Sequence, residues 1–295
     1  MKYISVIQFA EKHNISERTV RNYCAKGKIE GAFLTGKTWN IPADASPPKR
    51  HNEKIEISPL LQMLREQKEL RMKGSIYHRT QIDLTYNSNH IEGSRLTHDQ
   101  THYIFETNTI GIIDNAVRVD DIIETVNHFR CIDAIIDHAE EPLTEKFIKS
   151  LHHLLKCSTA DSSKTWFAIG EYKQLPNEVG GTDTCLPEDV PQKMKTLLAD
   201  YNKLRHKTFA DILDFHVRFE RIHPFQNGNG RIGRLLMFKE CLANRHVPFI
   251  ITDELKLFYY RGLREWGHIN EYLTDTCLTA QDEYKALLSH FRIPF

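Results

Sequence analysis

The chain has 295 residues, 40% of them apolar and 26% charged, with equal numbers of basic and acidic side chains. That length accommodates one large core and a small second domain, and the balanced charge argues against a chain built as a whole to hold a polyanion. No apolar run approaches the roughly 18 residues of a membrane span. Met1-Lys2-Tyr3-Ile4 shows no signal-peptide core, and the six cysteines (24, 131, 157, 185, 241 and 277) are scattered, with no pair spaced as CxxC. A reduced, cytoplasmic protein without membrane attachment or structural zinc is expected.

Residues 1–45 read as a small helix-turn-helix unit. Ser5 is placed to cap a helix to about Lys12, Asn14-Ile15-Ser16 makes a turn, and Ser16 caps a second helix to about Lys26. Gly27 breaks the pattern, and Ile29, Phe33, Trp39 and Ile41, set among Gly31, Gly36 and Lys37, suggest a short hairpin or wing. Residues 1–50 hold nine Lys or Arg against four Asp or Glu, an asymmetry that points to nucleic acid. Arg18, Thr19, Arg21 and Asn22 fall on the second helix, where a recognition helix meets DNA; a protein-interaction module of the same shape is the alternative. One copy of so small a unit binds DNA weakly, so a homodimer is expected if DNA is the partner.

Residues 46–57, rich in proline and charge, read as a linker. Beyond them apolar residues recur at helical spacing in about 59–73, 118–139, 144–157, 188–204, 209–221, 231–243 and 253–290. The stretch from Glu171 to Leu186, with Pro176, Gly180 and Gly181, lacks that period and predicts an extended flap or hairpin. His152 and His153 point about 100° apart on a helix, which suits packing better than shared metal ligation. His216 is expected to pack, and Cys241 and Cys277 to act as small buried apolar residues.

The chemistry concentrates in His223-Pro-Phe-Gln-Asn-Gly-Asn-Gly-Arg231-Ile-Gly-Arg234. Pro224 ends one helix and a new one starts near Arg231. Two Asn-Gly steps between them let the backbone turn its N–H groups toward one spot beside a helix N-terminus, which is an anion site. Arg231 and Arg234, three apart, share a helix face and suit a di- or triphosphate. His223, at the loop entrance, is placed to take a proton.

This segment resembles the signature of the Fic family, HxFx(D/E)GNGRxxR, and the resemblance extends over about residues 58–295, including Gly170-Glu171-Tyr172-Lys173 and the stretch Asp253–Leu263. It implies a mainly α fold, a helical Fic core with a β-hairpin flap, preceded here by the small winged helix-turn-helix domain. It implies a protein adenylyltransferase that moves AMP from ATP, with Mg²⁺, to a hydroxyl of a target protein docked at the flap near residues 171–186. By position, His223 deprotonates the target hydroxyl and Phe225 anchors the loop. Gly228, Asn229 and Gly230 hold the α- and β-phosphates, Arg231 the β-phosphate side and Arg234 the γ-phosphate; Tyr260, with Tyr259, flanks the adenine or packs in the core. The family has Asp or Glu where this chain has Asn227, so a weak metal site and slow transfer are expected.

Upstream, Ser88-x-x-x-Glu92-Gly93 matches the family's inhibitory motif, (S/T)xxxE(G/N), within a helix expected over about 80–93. The resemblance implies that Glu92 pairs with Arg234 in a two-pronged bond and keeps the γ-phosphate from its productive pose. It also implies that AMP removal is within reach of the same glutamate. The other reading is a DNA-binding regulator whose Fic domain senses nucleotide and transfers little.

Overall fold

The computed structural model describes residues 2–48, 57–111, 116–180 and 182–295. The chain divides into two compact units, residues 1–56 and 57–295. Most of the expected linker, residues 49–56, lies outside the described residues.

The first unit runs β1 (Tyr3–Ile4), α1 (Val6–His13), α2 (Glu17–Ala25), β2 (Phe33–Thr35) and β3 (Thr38–Pro42). Ser5 and Ser16 cap the two helices through their side-chain oxygens, and Asn14 takes the left-handed turn between them. The strands form an antiparallel sheet in the order β1-β3-β2, with Ile4 opposite Ile41 and Leu34 opposite Trp39. Phe9, Val20, Cys24 and Ile41 fill the core of this unit.

The second unit is helical: α3 (Pro59–Glu69), α4 (Ile76–Ile91), α5 (His98–Thr107), α6 (Val119–Asp137), α7 (Glu145–Lys156), α8 (Val190–Lys203), α9 (Phe209–Ile222), α10 (Asn229–Ala243), α11 (Lys256–Glu265) and α12 (Glu271–His290). Strands β4 (Glu178–Val179) and β5 (Thr182–Asp183) make a hairpin between α7 and α8. No described helix is long and apolar enough to cross a membrane.

Three elements differ from the sequence expectation. Helix α4 starts at Ile76 under a Ser75 cap, earlier than about residue 80, and Glu92 is its C-cap, followed by Gly93 at φ 93°. Helix α5 escaped notice because it buries only Thr101 and Ile104, too few to show a period. The single helix expected over 253–290 is two, broken at Trp266 and Gly267 and folded back so that Gly262 meets the backbone of Leu273.

Helix α10 is the centre of this unit and lies against α4, α6, α7 and α9. Nearly all of it is buried, including Arg231, Arg234, Lys239 and Glu240. A buried charge is costly unless paired, so each must find partners inside. Lys239 donates to the Ala139 and Glu141 carbonyls and to Glu240 (3.0, 2.7 and 3.0 Å), and Glu240 accepts from the Tyr201 hydroxyl at 2.9 Å. The two arginines find acidic partners beside the loop that begins α10, although Arg231 Nε has no hydrogen-bond partner among the described residues.

Three histidines lie in the core around α10. Burial pushes His128 well below its ordinary value and drives His152 and His216 down to about 3, so all three are neutral. Burial pushes Glu220 the other way, up to about 8, and keeps it protonated. Below about pH 6.5 the unfolded chain protonates the three histidines while the folded chain does not, which lowers stability; Glu220 opposes this with one proton held only in the folded state. The thermal midpoint should therefore fall by several degrees between about pH 6.5 and about pH 5, above the range where ordinary carboxylates titrate. A midpoint that holds level across that interval contradicts the burial of neutral imidazoles.

Candidate active site

Helix α9 stops at His223, whose backbone turns left-handed (φ 51°, ψ 62°) while its N–H still donates to Phe219 O at 2.9 Å. Pro224 bars a further turn. The loop that follows is closed by one side chain: Asn229 Oδ1 accepts from the Phe225 N–H and Asn229 Nδ2 donates to Phe225 O, both at 2.8 Å. Asn229 is therefore a brace, and only its backbone N–H remains to serve a ligand. Phe225 is fully buried, as an anchor must be, and stacks on His152 at 3.9 Å and 9°.

His152 fixes the loop from beneath. Its Nδ1 accepts from the Gly170 N–H at 2.9 Å, so the ring proton sits on Nε2 and is directed at Asn227 O, 3.1 Å away. The expectation that this residue packs holds, and the packing is against the chemistry-bearing loop.

Gly228 starts α10 at φ 84°, a conformation that costs other residues, and no side chain caps the helix. The first-turn N–H groups and the positive end of the helix dipole are left for an anion. A β-carbon at Gly230 would collide with the Glu92 carboxylate.

Arg234 is held by α4. Its Nε donates to Ser88 Oγ at 3.0 Å, and its Nη2 donates to Ser88 O at 2.9 Å and to Glu92 Oε1 at 2.8 Å. The two-pronged carboxylate pairing expected from the sequence is replaced by one carboxylate contact and two bonds to Ser88. Burial works to raise the Glu92 carboxyl; the charges of Arg234 and Arg231 and the bond to Arg234 outweigh it, and Glu92 stays below its ordinary value.

Arg231 pairs through Nη1 with Glu124 of α6, and its Nη2 donates to Asn227 Oδ1 at 3.2 Å. Glu124 also binds Lys156 Nζ at 2.5 Å, and Lys156 reaches Asp161 at 2.8 Å. Sequence reasoning missed Glu124, which sits 107 residues from Arg231 with no local spacing to reveal it.

His223 Nδ1 lies 3.3 Å from Glu220 O, an acceptor, so Nδ1 carries the proton and Nε2 keeps its lone pair. Burial lowers His223 to about 4, against a smaller upward effect of the Glu220 carbonyl. At neutral pH it is an unprotonated base. Glu220 was also missed; its place in the last turn of α9, three residues before His223, is the signal that points to it. Its Oε1 is buried without a hydrogen-bond partner, and a β-carbon at Gly233 would strike it and His216. His216 Nε2 lies 2.6 Å from the Tyr259 hydroxyl, which makes Tyr259 a core residue. Tyr260 is 41% exposed and close enough for the charges of Glu92 and Arg234 to act on its hydroxyl.

The flap is fastened to the loop. Lys173 N donates to Pro224 O at 2.8 Å, Asn177 Nδ2 to Phe225 O at 3.1 Å and Leu175 N to Gln226 Oε1 at 3.2 Å. Lys173 Nζ binds Asn177 Oδ1 and Thr184 Oγ1, at 2.7 and 2.6 Å, which ties the two arms of the hairpin together.

The residues suit a polyphosphate better than a magnesium ion. Position 227 offers one neutral amide oxygen, already engaged by Arg231, where Mg²⁺ favours a carboxylate. The donor set does not fit a tightly held Mg²⁺.

In the first unit Arg18, Arg21 and Asn22 are exposed on α2. Thr19 is partly withdrawn, with its hydroxyl 2.8 Å from Ser16 Oγ in the helix cap, and Arg21 lies 3.5 Å from Glu17.

Residues 142–241 match the pattern of the Fic/DOC family. A protein adenylyltransferase Fic from Nematostella vectensis is 25% identical over 187 residues, 62% of this chain and 42% of that protein. A probable protein adenylyltransferase from Aquifex aeolicus is 42% identical over 83 residues, 27% of this chain and 24% of that protein. The chain thus spans less than half the length of either relative. Among solved structures, a Fic domain containing signaling protein from Bacteroides thetaiotaomicron is 26% identical with a TM-score of 0.58, covering 78% of this chain and 91% of that one. Matched sequence, helical fold and the loop braced between α9 and α10 agree, and residues 142–241 are a Fic/DOC family domain.

Proposed function

We propose that the chain moves AMP from ATP to a hydroxyl group of a protein, and that Glu92 holds this activity down. The observation that carries the reading is a neutral His223 at the mouth of a loop whose helix start and two buried arginines converge as an anion seat. His223 Nε2 takes the proton of the target hydroxyl, and the oxygen attacks the α-phosphorus. A new O–P bond forms, the bond from the α-phosphorus to the bridging oxygen breaks, and pyrophosphate leaves. Phosphoryl chemistry of this kind depends on positioning and charge stabilisation. The first-turn N–H groups of α10 and the Arg231 and Arg234 guanidiniums supply both. The hairpin at Glu178–Asp183 supports a docking role for the flap, since a short two-stranded edge can accept an extended target segment by strand addition.

The resting geometry opposes transfer. Arg234 is engaged by Ser88 and Glu92, and an arginine so held does not accept the γ-phosphate. Glu92→Gly should raise self-labelling or target labelling from ATP by about tenfold or more, the worth of one buried charge contact. Adding His223→Ala should remove about two orders of magnitude of that signal or more. Equal labelling by the parent and Glu92→Gly would contradict the brake; retained labelling without His223 would contradict the base.

A second reading, a DNA-binding regulator whose Fic domain senses nucleotide, is favoured by Asn227 and by the basic face of α2. The two readings separate on one substitution. If Asn227 limits the enzyme, Asn227→Asp in the Glu92→Gly background should raise Mg²⁺-dependent transfer on the order of tenfold. Nucleotide binding without transfer in that double variant would favour the sensor.

A further inference from the structure

Away from the loop, His78 at the start of α4 meets His102 and Glu106 on α5. His102 and Glu106 are four residues apart and so share one helix face. His78 Nε2 lies 2.9 Å from Glu106 Oε1 and His102 Nε2 lies 3.1 Å from the same oxygen, and one ligand atom from each residue falls within 4.8 Å of the other two. Four-coordinate zinc, with bonds of about 2.0–2.2 Å to nitrogen and oxygen, places its ligand atoms roughly 3.3 Å apart. The cluster has that scale.

His78 supplies the observation that separates a metal set from a pair of hydrogen bonds. Its ring is almost wholly buried, and Nε2 has no hydrogen-bond partner although the carboxylate oxygen is 2.9 Å away. The in-plane axis of Nε2 therefore passes beside the oxygen. A nitrogen aimed beside a neighbouring ligand atom is what coordination to a common ion requires, and it wastes a hydrogen bond otherwise. The two rings stand edge to face, with centroids 5.7 Å apart. Lys73 Nζ is 3.6 Å from the other carboxylate oxygen on a side chain that is 67% exposed, so it can withdraw into water. His78 and His102 also line a cavity of about 230 Å³ with Ser75, His98 and Phe291, which leaves room for a water as a further ligand.

We propose that His78, His102 and Glu106 form a binding site for a divalent transition metal of the zinc class, with two imidazoles, one carboxylate and an open position. The ligand chemistry selects Zn²⁺ or Co²⁺ over Mg²⁺ or Ca²⁺, which favour all-oxygen sets. The sequence expectation of no structural zinc followed from cysteine spacing, and this site uses no cysteine. An ion here clamps the first turn of α4, whose last turn carries Ser88 and whose C-cap is Glu92, to α5.

The full-length chain, stripped with a chelator and dialysed, is titrated with ZnCl₂ by calorimetry and with CoCl₂ by visible absorption. The parent should bind one equivalent of Zn²⁺, show the intense visible bands of four-coordinate Co²⁺, and melt at a higher temperature with metal present. His102→Ala and Glu106→Gln, both at partly exposed positions, should each weaken binding by about tenfold or more and cancel the thermal shift, with unchanged far-ultraviolet circular dichroism. His206→Ala, at an exposed histidine between α8 and α9, should bind as the parent does. No binding by the parent, or binding equally strong in all four proteins, overturns the site.

Discussion

Two guanidinium groups buried on one helix set the terms for this protein. Arg231 and Arg234 lie on α10, the most enclosed element of the larger unit, where an unpaired charge is untenable. The fold supplies acids from its own chain: Glu124 of α6 for Arg231, and Glu92 with Ser88 from the end of α4 for Arg234. Those are the contacts a bound polyphosphate would have to share or displace. The same requirement that stabilises the resting protein thus restrains the activity proposed for it.

The two acids are not equivalent. Glu124 is shared with Lys156, which is itself tied to Asp161, so Arg231 is embedded in a network fixed by α6, α7 and the segment after α7. Glu92 makes one contact to Arg234 from the C-cap of a helix, with 30% of its side chain exposed. A carboxylate so placed can leave without dismantling the core, and Gly230 gives it the space to approach in the first place. His128, His152, His216 and protonated Glu220 are neutral groups close enough to one or both guanidiniums to feel their charge, and they add none of their own. The loop is braced by hydrogen bonds from Asn229 and His152, so the backbone N–H groups keep their aim before any ligand arrives.

Much of this was legible in the sequence because it is local. The His223–Arg234 spacing showed a loop between two helices, and the four-residue step from Ser88 to Glu92 placed both on one face, where they meet Arg234. What was not legible depends on residues far apart in the chain. Glu124 reaches Arg231 across 107 positions, and nothing in its neighbours marks it. Asn229 reads as a phosphate ligand in the motif, yet its side chain closes the loop on Phe225. Ser88 gives Arg234 two bonds, which leaves Glu92 one where two were expected. Helix α5 was missed because its outer face is polar and its inner face is short, and with it went the meeting of His102 and Glu106 with His78.

The most direct test of this account is a cycle across the 92–234 pair, with transfer from ATP measured for the parent, Glu92→Gly, Arg234→Ala and the double variant. Glu92→Gly should increase transfer when Arg234 is present and should give no increase when Arg234 is alanine, because the restraint is exerted on that guanidinium. The same fold increase in both backgrounds would show that Glu92 acts elsewhere, and the account built on the buried arginine would fail.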